Sequence, residues 1–223
     1  MEALREAAAA VAVRIEEARR RVGGEPVSLL PVTKGHAIQR VRQAVALGFT
    51  ELGENYLQEC QAKAEAEPGL RWHLLGHLQR NKVARAARLF HAVETVDSLQ
   101  LAERLSSARL GQEPLPVLCE LDATEIPGRN GFKPDGLREV AEAIAALPGI
   151  VLQGLMTVAD PASPQRCFSQ CRELREELVA RLGRGLPVLS MGMSEDFELA
   201  IAEGSTEVRL GSALFGPRPP HRP

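Results

Sequence analysis

One lysine of the sequence, Lys34, ends a short apolar segment in the stretch PVTKGHA at residues 31–37. A lysine among apolar neighbours loses solvation, which favours its neutral amine. A neutral amine attacks aldehydes and ketones and forms a Schiff base. The alternative is a lysine that extends its ammonium group to solvent from the end of a strand. The spacing alone leaves both interpretations open.

Two segments near the C-terminus, MGMSED and RLGSALFG, combine glycine with serine. Gly211 lets the backbone approach a ligand closely, and Ser194 and Ser212 supply hydroxyl groups. Backbone amides and hydroxyls around a helix N-terminus bind anions such as phosphate. Ser194 equally suits the N-cap of the helix predicted for EDFELAIAEG. The two roles are compatible, so these residues form a candidate phosphate site.

Arg209 lies in a strand-like segment between Val208 and Leu210. Alternate residues of a strand face opposite sides, so Arg209 points into the protein if its two apolar neighbours pack outward against helices. A buried arginine needs an acceptor for its hydrogen bonds. That acceptor is either a ligand or a carboxylate of a neighbouring strand, which would make a buried ion pair.

These residues belong to a regular alternation of strands and helices that follows an N-terminal helix ending at VGG. Strictly alternating elements of this number and length favour a single-domain α/β fold, a (β/α)8 TIM barrel with an extra N-terminal helix, over residues 1–223. An open doubly wound sheet is the alternative, but no GxGxxG follows the first strand and no P-loop occurs. The eight strand candidates are VSLLPVTK, FTELGEN, LRWHLLG, AVETVD, LPVLCELD, IVLQGLMTV, LPVLSMGM and EVRLGSALFG.

The C-terminal ends of barrel strands carry the chemistry, and the loops after strands seven and eight often bind phosphate. Lys34 ends strand one, whereas Ser194, Gly211 and Ser212 follow strands seven and eight. A Schiff-base lysine beside a phosphate site indicates an aldehyde that carries a phosphate, and pyridoxal 5′-phosphate (PLP) is such a molecule. Arg209 would then face the pyridine nitrogen and keep it unprotonated, which makes the ring a weaker electron sink.

Several motifs together resemble a known family. They are VTK, GENYLQE, WHLLGHLQRNK, TVDS, GLMTV and the long block LSMGMSEDFELAIAEGSTEVRLGSALFG. They span about residues 32 to 218 and are similar to the YggS/PROSC family, the pyridoxal phosphate homeostasis proteins. The segment TEIPGRNGFKPDG at residues 124–136 departs from the family pattern, which puts any role of this loop in doubt.

The resemblance implies a barrel like the N-terminal barrel of alanine racemase, a PLP cofactor and no catalytic residue. Lys34 would form the aldimine, and Arg209 would face the pyridine nitrogen. The phosphate would bind Ser194, Gly211, Ser212 and the backbone near Met193, and the ring would lie near Asn55, Met156 and Ser190.

The resemblance also implies a PLP-binding protein of vitamin B6 homeostasis that delivers the cofactor, through transient contact with PLP-requiring apoenzymes, and catalyses little. A PLP-dependent amino-acid racemase is an alternative. We expect the additional domain that supplies a catalytic tyrosine in similar racemases to be absent, and Tyr56 is the one tyrosine of the sequence. A Schiff-base aldolase without PLP, in which Lys34 meets a sugar phosphate directly, is the second alternative.

Composition sets the remaining expectations. A net charge of -2 gives no field that attracts nucleic acid or membrane. Four cysteines without a CxxC pair, and no signal peptide, predict a reduced cytoplasmic protein. His73 and His77 lack the HExxH pattern, so no metal site is expected. No heptad repeat indicates assembly, which favours a monomer, and we expect the tail PRPPHRP at 217–223 to be frayed.

Overall fold

Eight short strands form the centre of the protein, and helices alternate with them along the chain. The computed structural model describes residues 1–217. The strands are β1 (Ser28–Pro31), β2 (Glu51–Glu54), β3 (Arg71–Leu74), β4 (Ala92–Val96), β5 (Leu115–Leu121), β6 (Ile150–Thr157), β7 (Val188–Ser190) and β8 (Glu207–Leu210). The helices are α1 (Glu2–Val22), α2 (Ile38–Ala46), α3 (Leu57–Ala66), α4 (Val83–Leu89), α5 (Leu99–Arg109), α6 (Pro134–Ala145), α7 (Pro164–Leu182), α8 (Phe197–Ala202) and α9 (Ser212–Phe215), with a 3₁₀ turn at Arg80–Lys82.

The strands close into a barrel. All pairs are parallel and follow the order β1-β8-β7-β6-β5-β4-β3-β2. An isolated parallel bridge between Val32 and Gly53, with a 3.0 Å hydrogen bond from the Thr33 amide to the Gly53 carbonyl, joins the continuation of β1 to β2. The predicted barrel with an N-terminal helix is therefore confirmed, and the open doubly wound sheet is wrong.

Local sequence signals define several element ends. Gly23 ends α1 with a left-handed φ of 63°, as the VGG stop predicts. The side chain of Ser98 accepts a 3.3 Å hydrogen bond from the Leu101 amide and caps α5. The buried apolar side chains of helices and strands form one continuous cluster, which contains Trp72, Phe90 and Phe168. This cluster holds the helices on the barrel and leaves the strand ends to form one mouth.

The elements after β7 differ from the sequence prediction. Helix α8 begins at Phe197 with Asp196 as its N-cap residue, so Ser194 lies in the preceding loop. The segment EVRLGSALFG is a strand only as far as Leu210, and its second half is the helical turn α9. Gly211 lies between the two conformations. The sequence did not distinguish them, because a short apolar segment after a glycine fits a helical turn as well as a strand.

The predicted tail at 217–223 lies, apart from Pro217, outside the described residues. No helix in the described part of the chain combines the length and the apolar composition needed to cross a membrane.

Candidate functional site

Lys34 and the segment that follows β8 lie side by side at the mouth of the barrel. Strand β1 pairs with β8, with Leu30 opposite Arg209, and the Val32 amide donates a 2.9 Å hydrogen bond to the Leu210 carbonyl. Lys34 occupies the turn directly after this contact and is partly exposed. The pairing of β1 with β8 therefore brings the segment that precedes Lys34 next to the strand that carries Arg209.

A buried lysine, Lys63, supports the turn that carries Lys34. Only 5% of Lys63 is exposed. Its Nζ donates hydrogen bonds of 2.6 Å to Glu54 Oε1, 2.7 Å to Glu59 Oε1 and 2.7 Å to the carbonyl oxygen of Thr33. Burial raises the pKa of Glu54, although the charge of Lys63 opposes that shift. The ammonium group thus ties α3 to the end of β2 and to the turn after β1.

The same cluster holds the backbone on both sides of Lys34. On one side, the Thr33 hydroxyl donates a 2.5 Å hydrogen bond to Glu54 Oε1. On the other, the Gly35 amide donates a 2.7 Å hydrogen bond to Glu59 Oε1. Sequence reasoning missed this support. The Glu59–Lys63 spacing of four on a helix was the available signal, but it usually indicates a solvent-exposed pair.

Arg209 points into the barrel, as strand alternation predicts, and 5% of it is exposed. Its Nη1 donates a 2.8 Å hydrogen bond to Ser190 Oγ, and its Nη2 donates one of 2.8 Å to the Thr157 carbonyl. Both acceptors are uncharged. Within residues 1–217 no carboxylate forms an ion pair with Arg209, so the alternative of a direct buried ion pair is wrong. The guanidinium keeps further N–H groups for an acceptor at the mouth.

Ser190 connects Arg209 to buried acids deeper in the barrel. Its Oγ lies 2.7 Å from Glu94 Oε2 and 2.9 Å from Glu207 Oε1. Glu94 also contacts the imidazole of His73, with 2.8 Å between Oε1 and Nδ1. His73 is itself buried. Sequence reasoning missed Glu94 and Glu207, because their strand segments resemble ordinary half-exposed strands.

The loops after β7 and β8 are joined by Ser194. Its Oγ accepts a 3.1 Å hydrogen bond from the Ala213 amide of α9. Ser194 therefore does not cap α8, because its hydroxyl is directed at α9 instead. The Met193 amide donates a 2.6 Å hydrogen bond to Asp196 Oδ1, so this N–H already has a partner. Ser194, Gly211 and Ser212 thus come together at one corner of the mouth, as predicted.

Gly192 makes this corner compact. It has a φ of 99°, and a Cβ there would lie 2.7 Å from the Ala200 Cβ and 2.9 Å from the Phe197 Cα. Only glycine fits both constraints. At Gly211, a Cβ would lie 3.3 Å from the Val32 carbonyl oxygen, so the strand ends of β1 and β8 approach closely there as well.

Asn55 and Met156 come from two further strand ends, those of β2 and β6. Asn55 follows β2, and its Oδ1 is buried without a hydrogen-bond partner among the described residues. A buried acceptor without a partner costs on the order of 1–3 kcal/mol, so a donor from a ligand would stabilise it. Met156 is buried on β6 beside Ser190, to which it is paired across the sheet. The structure therefore groups Met156 with Ser190, to which Arg209 donates a hydrogen bond.

The opposite side of the mouth contains a polar cavity of about 370 Å³, which His77 and Asp97 line. Their side chains are 3.0 Å apart, between Nδ1 and Oδ2. Burial, together with the charge of Asp97, raises the pKa of Glu120 to about 7.

Comparisons with known proteins match the whole barrel. The family model for the N-terminal domain of alanine racemase matches residues 7–219. A Pseudomonas aeruginosa protein named pyridoxal phosphate homeostasis protein is 42% identical, over 98% of this chain and 97% of the relative. A further relative with the same name, from Escherichia coli strain K12, is 36% identical over 92% of both chains.

Solved structures give the same result. PipY of Synechococcus elongatus, with PLP bound, superimposes with a TM-score of 0.79 at 36% identity, over 92% of this chain and 100% of PipY. The shared sequence and shared barrel extend over nearly all of the chain and its relatives. The chain therefore belongs to the family of pyridoxal phosphate homeostasis proteins.

Proposed function

We propose that this protein binds PLP through Lys34 and serves in PLP homeostasis and delivery with little or no turnover. The observation that carries the proposal is the closure of β1 against β8. This pairing supports a position of Lys34 near Arg209 and near the Ser194–Ser212 corner. The primary amine of Lys34 matches the aldehyde of PLP. The buried cation of Arg209 matches its ring nitrogen, and the anion-binding Ser194–Ser212 corner matches its phosphate.

The residues of the mouth fit this cofactor. When bound, PLP supplies an aldehyde that reacts with primary amines and a ring that withdraws electrons. Lys34 contributes the amine, and its turn is held from both sides by the Lys63 cluster. Arg209 offers N–H donors but stays protonated itself, so it would leave the ring nitrogen unprotonated. Because the backbone is closely packed at Gly211, the groups nearest a bound phosphate would be hydroxyls and backbone amides.

Further contacts follow from the remaining lining residues. The Ser194 and Ser212 hydroxyls, with the backbone near Met193, would hold the phosphate. The buried Oδ1 of Asn55 would accept a hydrogen bond from a ligand hydroxyl. Met156 and Ser190 would limit how deeply the ring enters the barrel.

Low turnover is supported by the positions of the proton-transfer groups. Racemisation needs two bases on opposite faces of the substrate carbon. Tyr56 is the one tyrosine of the chain. It is 63% exposed and lies at the start of α3. An arginine at the ring nitrogen also stabilises a carbanion poorly. The relatives, moreover, are named for homeostasis. A racemase and a cofactor-free aldolase are both less well supported than a PLP carrier that releases its cofactor to apoenzymes.

The test is the visible spectrum of the purified protein with PLP, before and after borohydride reduction, followed by peptide mapping. The chain has four lysines, so the map distinguishes Lys34 from Lys63, Lys82 and Lys133. We expect yellow protein and a reduced adduct on Lys34. Lys34→Ala should give no adduct and retain the fold, whereas the matched control Lys82→Ala should give the wild-type adduct. Colourless protein, or an adduct on another lysine, would refute the assignment.

A second measurement separates a carrier from a racemase. Exchange of the α-proton of alanine in deuterated water reports racemase chemistry directly, even when turnover is slow. We expect exchange no faster than with free PLP at the same concentration. Exchange that depends on the protein, and is lost in Lys34→Ala, would favour the racemase.

A further inference from the structure

We infer that Glu207 is a neutral, protonated acid inside the barrel and that its proton keeps Arg209 directed at the mouth. Glu207 is thereby a positioning residue for Arg209. The protonation state follows from hydrogen-bond geometry in the protein alone. Its consequence for cofactor binding rests on the proposed function, in which Arg209 faces the ring nitrogen of PLP.

Ser190 is the centre of the geometry. A serine hydroxyl has one hydrogen to donate and two lone pairs that accept. Ser190 Oγ lies 2.8 Å from Arg209 Nη1, 2.7 Å from Glu94 Oε2 and 2.9 Å from Glu207 Oε1. The arginine can only donate, so it uses one lone pair. The single hydroxyl hydrogen serves one carboxyl group, and the other carboxyl group must donate its own proton to the second lone pair.

His73 decides which carboxyl group is protonated. Its Nδ1 lies 2.8 Å from Glu94 Oε1, and its Nε2 lies 3.3 Å from Glu51 Oε2. An imidazole with a carboxylate at each nitrogen is stabilised as the doubly protonated cation. Glu94 therefore accepts hydrogen bonds from His73 and from Ser190 and is the ionised partner. The proton of the pair resides on Glu207.

The electrostatic surroundings agree with this assignment. Burial raises the pKa of Glu207 to about 8, and the charge of Glu94 adds to the effect. Burial by itself lowers the pKa of His73. Its hydrogen bonds to Glu51 and Glu94 outweigh that effect and raise the pKa to about 10. The hydrogen bond from His73 lowers the pKa of Glu94 despite complete burial.

The groups that face Glu207 come from several strands. They are Glu94 on β4, His73 on β3 and Arg209 on β8, with Ser190 of β7 between them. Strands β1 and β6 carry no charged residue, and Glu51 of β2 acts through His73. Arg71 of β3 pairs instead with Glu51, at 2.7 Å between Nε and Oε1. Arg209 and His73 are therefore the cations whose balance the ionisation of Glu207 would change.

Loss of the proton would have two consequences for Arg209. Ser190 would then face two carboxylates with one hydrogen, which breaks one of its hydrogen bonds. The new charge on Glu207 would attract the guanidinium of Arg209 toward the interior, away from the Thr157 carbonyl that it contacts at 2.8 Å. When Glu207 is neutral, Ser190 lies between Arg209 and the two acids. The remaining N–H groups of Arg209 then stay at the mouth.

The first experiment uses the cofactor-free protein, with a chelator present so that no cation replaces the proton. NMR of the glutamate side-chain carboxyl carbons is recorded against pH, and Glu207 is assigned by its loss in Glu207→Gln. Glutamine keeps the shape of the protonated acid and donates to Ser190. We expect Glu207 to titrate with a midpoint of about 8. A midpoint in the ordinary range of glutamate would overturn the inference.

The same samples report on Arg209. Its side-chain Nε–Hε signal, assigned through Arg209→Lys, should shift with the midpoint of Glu207 in the wild type and stay constant in Glu207→Gln. The exposed Glu113→Gln variant is the matched control and should behave as the wild type. An Arg209 signal that does not change as Glu207 ionises would refute the positioning role, whether or not PLP binds.

The second experiment measures PLP affinity against pH. At a pH one unit above the midpoint, the wild type should lose up to about tenfold in affinity relative to Glu207→Gln, because one proton is linked to binding. Near pH 6 the two proteins should bind alike. Parallel curves over the whole range would overturn the link to PLP. Failure of all variants to bind PLP, with both NMR titrations as expected, would refute the proposed function and leave the positioning of Arg209 established.

Discussion

Nη2 of Arg209 donates a 2.8 Å hydrogen bond to the carbonyl oxygen of Thr157 and so spans from β8 to β6, past β7. The hydroxyl of Thr157 in turn donates a 2.8 Å hydrogen bond to the Leu121 carbonyl of β5. The guanidinium is thus the end of a chain of contacts that crosses four neighbouring strands. Its position depends on the closed barrel and not on its own strand.

Replacement of Arg209 by alanine should weaken both PLP retention and the fold. Two hydrogen bonds from a charged donor are lost, and each contributes roughly 1.5–3 kcal/mol, so we expect a loss of about 3 kcal/mol in the free energy of unfolding. Urea unfolding of cofactor-free protein and PLP titration measure the two effects. The exposed Arg5→Ala is the control. Unchanged PLP affinity together with reduced stability would mean that Arg209 is purely structural.

Lys63→Met should strongly destabilise the protein, because it leaves Glu54 buried without its cation. Removing one partner of a buried ion pair costs about 3–5 kcal/mol. Adding Glu54→Gln should restore part of that loss, since the uncompensated charge is then removed. Urea unfolding of the single and double variants, with Lys82→Met as control, measures this coupling. Additive effects of the two substitutions would contradict the proposed support of the Lys34 turn.

Stability should decrease as the pH rises from about 6.5 to about 10, because the folded state raises the pKa of His73 from 6.5 to about 10. A group whose folded pKa is raised stabilises the protein fully below its unfolded pKa and loses that contribution as the pH passes the folded pKa. We expect a loss on the order of 5 kcal/mol across this window. His73→Gln should flatten the urea-derived profile there, whereas His77→Gln should not. An unchanged slope in His73→Gln would show that other groups cause the loss.

Gly192→Ala should destabilise the corner that carries Ser194. The left-handed φ of 99° and the 2.7 Å approach to the Ala200 Cβ both oppose a side chain. We expect a loss of at least about 2 kcal/mol and weaker PLP binding, because Ser194 must move with the loop. Gly136→Ala in α6 is the matched control, since a Cβ there meets no atom within 4 Å. It should be neutral or stabilising by up to about 1 kcal/mol. A stable Gly192→Ala variant with normal PLP affinity would contradict the assigned role of this corner.

The order of the elements and the general position of the site could be predicted from the sequence. Alternating strand and helix patterns favour a parallel barrel, and a barrel places all C-terminal strand ends at one mouth. The pairing of β1, which precedes Lys34, with β8, which carries Arg209, was therefore predictable, although many positions separate the two strands along the chain. The inward direction of Arg209 follows from strand alternation, which depends only on adjacent residues. The helical turn α9 was missed, because four apolar and small residues after Gly211 have no distinguishing period.

The contacts that fix the charges of the site arise only in the tertiary structure. Ser190 and Glu94 are 96 positions apart, and Glu54 meets Lys63 inside the fold instead of on a helix surface. Periodicity in a sequence reports which face of an element is buried, but it contains no information on which polar side chains meet across a closed barrel. Those meetings depend on strand register and on the angle of closure. The sequence by itself thus determined the barrel and the strand end that carries Lys34, whereas packing across the barrel decided where the protons and charges reside.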